Sequence, residues 1–145
     1  MEQTILVSAC LLGENCKYNG GNNLCPAVLQ FIEEKRREGA AIVPVCPEVL
    51  SGVGVPRPPV EIVNGRIRTA DGTDLDEAYR MGVERAMAIA KQMGASMAVL
   101  QSRSPTCGVR EIYDGTFTRT RIEGRGLFAK ALARAGVKLI DKEDL

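Results

Sequence analysis

Five cysteines and no histidine set the chemistry open to this 145-residue chain. Without histidine the Ser-His-Asp and Cys-His nucleophile systems, HExxH metalloproteases and mixed Cys/His zinc sites are excluded. Thiolate, carboxylate, hydroxyl and lysine chemistry is left. Cys46 stands two residues before Glu48, and the stretch after them, with Gly52, Gly54 and Pro56-Arg57-Pro58-Pro59, is barred from helix or ladder. A loop so constrained is costly unless it holds something, which makes Cys46 and Glu48 the first candidates for chemistry. Cys107 lies in a second Pro/Gly setting, Ser104-Pro105-Thr106-Cys107-Gly108, and Cys10 follows the first apolar run.

Thiolates select zinc, copper(I) or iron–sulfur clusters. A structural zinc wants four ligands, usually in CxxC pairs, and the chain has no CxxC. Zinc on Cys10, Cys46, Cys107 and one of Cys16 or Cys25 stays open. So does a four-iron cluster on three thiolates, whose uncommitted iron can act as a Lewis acid on a soft ligand such as substrate sulfur. The plainest alternative is three cysteines scattered through a core, since a free thiol packs as a small hydrophobe. An odd number of cysteines argues against a disulfide framework.

The elements that must position these groups are readable from periodicity. Thr4–Ala9 is a continuous apolar run, as expected of a central parallel strand, and Ala40–Val45 reads as a second buried strand. Between them, Pro26 near a helix start precedes a face of Leu24, Ala27, Val28, Phe31 and Ile32 that ends at Gly39. Val60–Arg68 alternates around Asn64-Gly65, a hairpin signal. A long amphipathic helix runs from about Leu75 to Met93, followed by a third strand over 95–100. A second hairpin is expected around Asp114-Gly115, then a helix after Gly126 and a last strand over 137–140. Strand–helix alternation predicts an α/β fold: a three-layer Rossmann-like sandwich, its mainly parallel sheet of about four strands covered by helices on both faces, plus one or two β-hairpins. Ligands in such folds bind beyond the carboxyl ends of the strands. Cys10, Cys46 and Cys107 all follow strands, so three remote thiols should meet along one edge.

At 45% hydrophobic residues the chain can bury a core, and its length predicts one domain spanning residues 1–145. A formal net charge of +1 provides no field for polyanions, so strong nucleic-acid binding is not expected. No apolar run approaches membrane-spanning length, and Met1-Glu2-Gln3-Thr4 opens too acidic and too briefly for a secretory signal. A cytoplasmic protein is expected. Arg103, Arg110, Arg119, Arg121 and Arg125 read as a solvated surface or, with the helix start after Gly126, as a phosphate site.

The motifs Val7-Ser8-Ala9-Cys10-Leu11-Leu12-Gly13, Lys17-Tyr18-Asn19-Gly20, Cys46-Pro47-Glu48, Pro56-Arg57-Pro58-Pro59, Ser104-Pro105-Thr106-Cys107-Gly108 and Ile112-Tyr113-Asp114-Gly115-Thr116-Phe117 resemble, in this order, those of the thiouracil desulfidase family. The resemblance runs over essentially the whole chain. It implies a [4Fe-4S] cluster on Cys10, Cys46 and Cys107 and removal of sulfur from a thiolated nucleobase, such as 2-thiouracil, without net redox change. Gln101 stands where members often carry lysine. In that chemistry Glu48 would serve as general base and Ser104, ahead of Ser102, as the hydrogen-bonding hydroxyl. Structural roles compete with these: Glu48 could cap a helix beginning at Val49, and Ser104 the turn at Pro105. Cys16 and Cys25 are surplus thiols. Two other functions fit the residues, a non-catalytic metal- or sulfide-binding protein and a small nucleotide-binding module.

Overall fold

The computed structural model describes residues 3–145; Met1 and Glu2, part of the stretch read above for a secretory signal, lie outside them. In chain order the elements are β1 (Thr4–Ser8), α1 (Pro26–Arg37), β2 (Ala41–Val45), α2 (Pro47–Leu50), β3 (Val60–Val63), β4 (Arg66–Thr69), α3 (Asp76–Gln92), β5 (Met97–Leu100), β6 (Glu111–Tyr113), β7 (Arg121–Glu123), α4 (Leu127–Arg134) and β8 (Lys138–Asp141). Four strands form a parallel sheet in the order β2-β1-β5-β8. From β1 the chain first moves outward to β2, then returns past β1 to build β5 and β8. The reversal falls between β1 and β5, the position at which such sheets open a ligand crevice.

Alternation along the strands divides the core into two layers. Ile5, Val7, Met97 and Val99 pack against Val28 and Ile32 of α1. Leu6, Ala98 and Leu100 pack against Val83 and Ala86 of α3 and Phe128 and Leu132 of α4. The helices thus cover both faces, the three-layer α/β arrangement expected from the strand–helix alternation.

Three local expectations are corrected. The run over β2 reads as buried, yet it is an edge strand and only Val45 is fully enclosed. An edge also tolerates Pro44, which has no N–H to give a second neighbour. Leu24 precedes α1 and is 52% exposed instead of sharing its apolar face. The second hairpin does not turn tightly at Asp114-Gly115: β6 and β7 are joined through residues 114–120, closed by a hydrogen bond from the Asp114 N–H to the Thr120 carbonyl. By contrast Asn64 and Gly65 both take positive φ, 51° and 79°, as a tight β3–β4 turn demands. The two hairpins dock on each other, with Glu61 Oε1 accepting the N–H groups of Gly115 and Phe117 at 3.0 and 3.2 Å.

Candidate active site

Parallel strands all end at one edge, and the chain places a thiol beyond three of them. After β1 the backbone tightens into a 3-10 turn, Ala9–Leu12, that carries Cys10. After β2, Cys46 occupies the N-cap position of α2, with Pro47 in the first turn. After β5 the Gln101–Gly108 loop carries Cys107. Cys10, Cys46 and Cys107 line a single cavity of about 390 Å3 together with Cys16, Glu48 and Ser104. That size lies within the range of small-molecule sites, about 300–1,000 Å3. Cys25 is elsewhere, packed at the start of α1.

Glu48 is held through both of its carboxylate oxygens. Oε1 accepts from Arg57 Nε at 3.4 Å and Nη2 at 3.3 Å, while Oε2 accepts from the Ser104 and Thr106 hydroxyls at 3.2 and 3.1 Å. The helix that was to begin at Val49 begins at Pro47, so Glu48 lies inside its first turn instead of capping it. Ser104 does cap its turn: Oγ accepts the N–H groups of Thr106 and Cys107 at 3.1 and 3.0 Å. It reaches Glu48 as well. Ser102 is committed elsewhere, donating to Asp141 Oδ1 at 2.6 Å in a buried pair.

The loops are held by close approach. A Cβ on Gly82 of α3 would lie 2.1 Å from the Pro47 carbonyl oxygen, so glycine there lets α2 seat against α3. A Cβ on Gly126 would lie 2.4 Å from the Thr106 carbonyl carbon. The first amides of α4 are already engaged: Leu127 donates to Pro105, and Phe128 and Ala129 donate to Thr106. That helix start therefore anchors the Ser104–Cys107 loop and has no amides left for the phosphate considered above. Of the arginines in that reading, Arg103 pairs with Glu143 and Arg110 with Asp144, and Arg103 and Arg119 line the cavity.

The thiols differ in character. The Cys16 thiol, set against Cys10 and Cys46, is pushed up by both of them and then by burial. It holds its proton more firmly than Cys10 and Cys46 hold theirs. Cys10 is correspondingly drawn down to about 7, chiefly by Cys16 and further by Asn23, whose amide lies 3.5 Å from the sulfur. Cys46 is lowered, first by Cys16. Burial pushes Cys107 up to about 12, against opposing contributions from the Ser8 and Thr106 hydroxyls. The downward shifts of Cys10 and Cys46 favour the thiolate, the form that binds metals.

Among the described residues no three His, Cys, Asp or Glu side chains stand close enough to cage a single metal ion. The four-cysteine zinc alternative therefore lacks its cage. A set of soft donors spread around a roomy cavity, three of them from separate loops, suits a larger group such as an iron–sulfur cluster.

Sequence reasoning missed Arg57 and Thr106. Arg57 lay inside a motif valued for its prolines, and Thr106 beside a cysteine; in each case a polar residue in a constrained loop next to a candidate group was the available signal. Gln101 lines the cavity, and among the described residues its buried carboxamide oxygen has no hydrogen-bond partner.

Comparison with known proteins gives three matches. Residues 5–144 match the family model described as 2-thiouracil desulfurase. The Bacillus subtilis (strain 168) uncharacterized protein YbbK is 38% identical over 151 residues, covering 97% of each chain. Among solved structures, the [4Fe-4S]-dependent thiouracil desulfidase TudS (DUF523Vcz) superposes with a TM-score of 0.91 at 31% identity, over 99% of this chain and 93% of that one.

Proposed function

The chain belongs to the 2-thiouracil desulfurase family, and from that premise we propose that it desulfurates a thiolated pyrimidine base, 2-thiouracil or a close relative, to the oxo base with release of sulfide. The observation that carries this reading is the meeting of three remote thiols with a hydroxyl–carboxylate pair in one cavity. Cys10, Cys46 and Cys107 would hold a [4Fe-4S] cluster, as the dependence of TudS suggests. When bound on three thiolates, such a cluster supplies an uncommitted iron, a Lewis acid suited to thiocarbonyl sulfur.

The chain's own groups supply the proton chemistry. Exchange of C=S for C=O consumes one water and releases hydrogen sulfide, with no change of oxidation state. Glu48 Oε2 takes a proton from the attacking water. Ser104 is a donor and not a nucleophile: both acceptor positions of its Oγ are filled by backbone N–H groups, and its proton points to Glu48 or to Thr106. It therefore holds the Glu48 carboxylate in place, and the proton that Oε2 takes from water is the one returned to the departing sulfur.

All five cysteines are free, which suits a reducing compartment, and no described helix is long and apolar enough to cross a membrane. We assign the activity to the cytoplasm and to residues 1–145 acting as one unit. Anaerobic reconstitution with iron and sulfide, followed by measurement of uracil and sulfide formed from 2-thiouracil, tests the reading. Equimolar products are expected; cluster-loaded protein that leaves the base intact would falsify it.

A further inference from the structure

Arg57 is buried, its side chain 2% exposed, and its only carboxylate partner among the described residues is Glu48. A guanidinium enclosed in this way carries a permanent charge and has no acceptor, so it can neither take nor supply a proton during a reaction. All three of its nitrogens are engaged. Nε and Nη2 converge on Glu48 Oε1, Nη2 also donates to the Cys16 carbonyl at 2.9 Å, and Nη1 donates to the Gly54 carbonyl at 3.2 Å. The Arg57 N–H donates to the Tyr18 carbonyl at 2.7 Å, fastening its own loop to the segment after Cys16. The guanidinium is therefore fixed from three directions and cannot follow the carboxylate if it rotates.

The two oxygens of Glu48 are consequently unequal. Among the described residues Oε1 bonds only to the fixed cation, whereas Oε2 faces two hydroxyls, Ser104 and Thr106, that can reorient. We propose that Arg57 is a positioning residue that reserves Oε1 and leaves Oε2, steadied by Ser104, as the single oxygen through which Glu48 exchanges a proton with water. This rests on the base role given to Glu48 above. Thr106, 1% exposed, completes the arrangement by holding Oε2 in register with Ser104.

The test is a double-mutant cycle on cluster-loaded protein. Arg57→Lys keeps the charge, but one ammonium cannot reach Oε1 and both carbonyls in a single plane. It should lower kcat on the order of 10²-fold through misplacement of the acid, with KM for 2-thiouracil and cluster absorbance per chain maintained. Combined with Glu48→Gln it should be no slower than Glu48→Gln alone, because Arg57 acts through that carboxylate. Arg57→Gln carries the same cycle should the lysine variant load poorly. Multiplying losses in the double variant, or failure of both Arg57 variants to take up the cluster, assigns Arg57 to the scaffold and overturns the proposal. A Glu48→Gln enzyme at wild-type kcat removes the base itself and so overturns the proposed chemistry along with it; the two failures are told apart by that single variant.

Discussion

Ser102 and Ser104 lie two positions apart in one loop and do different work. Ser102 ties that loop to Asp141 at the end of β8, and its loss leaves a buried carboxylate oxygen short of a donor. Ser102→Ala should cost about 1–3 kcal/mol in urea denaturation while kcat stays near wild type. Ser104→Ala should lower kcat on the order of 10²-fold and also cost about 1–3 kcal/mol, because the Thr106 and Cys107 N–H groups lose their acceptor. A common loss of activity in both variants would mean that the loop, and not the Glu48–Ser104 pair, is what the chemistry needs. The preference for Ser104 was legible because it sits in the Ser-Pro-Thr-Cys run, but its pairing with Glu48 was not. Those two residues are 56 positions apart, and only the parallel sheet brings them to 3.2 Å.

At the scale of elements, the site depends on two close seatings. Gly82→Ala would drive a Cβ into the Pro47 carbonyl, displacing the four-residue α2 that carries Glu48 and follows Cys46. A loss of about 1–3 kcal/mol by thermal or urea unfolding is expected, together with reduced cluster uptake; a variant with unaltered stability and uptake would show that α2 can shift freely. The β3–β4 hairpin is fastened to α3 by Asp76, whose carboxylate accepts from Arg80 Nε at 2.6 Å and from the Ile67 N–H at 3.0 Å. Burial pushes its carboxyl up, but these bonds and the nearby Arg66 and Arg80 charges outweigh burial and hold it below the usual range. A depressed folded-state value means the stabilisation is complete above the unfolded value, about 4, and fades as pH falls through the folded one. Asp76→Asn should therefore cost about 1–3 kcal/mol at pH 7, and the gap to wild type in urea titrations should narrow toward pH 3. A gap that does not change with pH would place the effect in packing. Strand identities were readable from apolar runs, but the edge position of β2 was overlooked although Pro44 within the run signals it. The seven-residue link between β6 and β7 escaped because Asp114-Gly115 resembles a tight turn, and only docking on Glu61 selects the longer one.

For the molecule as a whole, the strand order explains why chemistry distributed over 98 positions, from Cys10 to Cys107, can occupy one cavity. Reversal of direction between β1 and β5 opens the crevice, and each thiol is delivered by the loop that follows its strand. As a fourth thiol at the site Cys16 could not be told from Cys25, since a loop of glycines and asparagines gives no direction to a side chain. The fold aims it at Cys10 and Cys46. The central claim is that Cys10, Cys46 and Cys107 together hold one four-iron cluster beside Glu48. Iron and acid-labile sulfide counted per chain in anaerobically purified protein test it most directly. About four of each are expected in wild type and in Cys25→Ser, and near-complete loss in Cys10→Ser, Cys46→Ser and Cys107→Ser. A full complement retained in any of those three variants, or a single zinc in place of iron, would contradict the account.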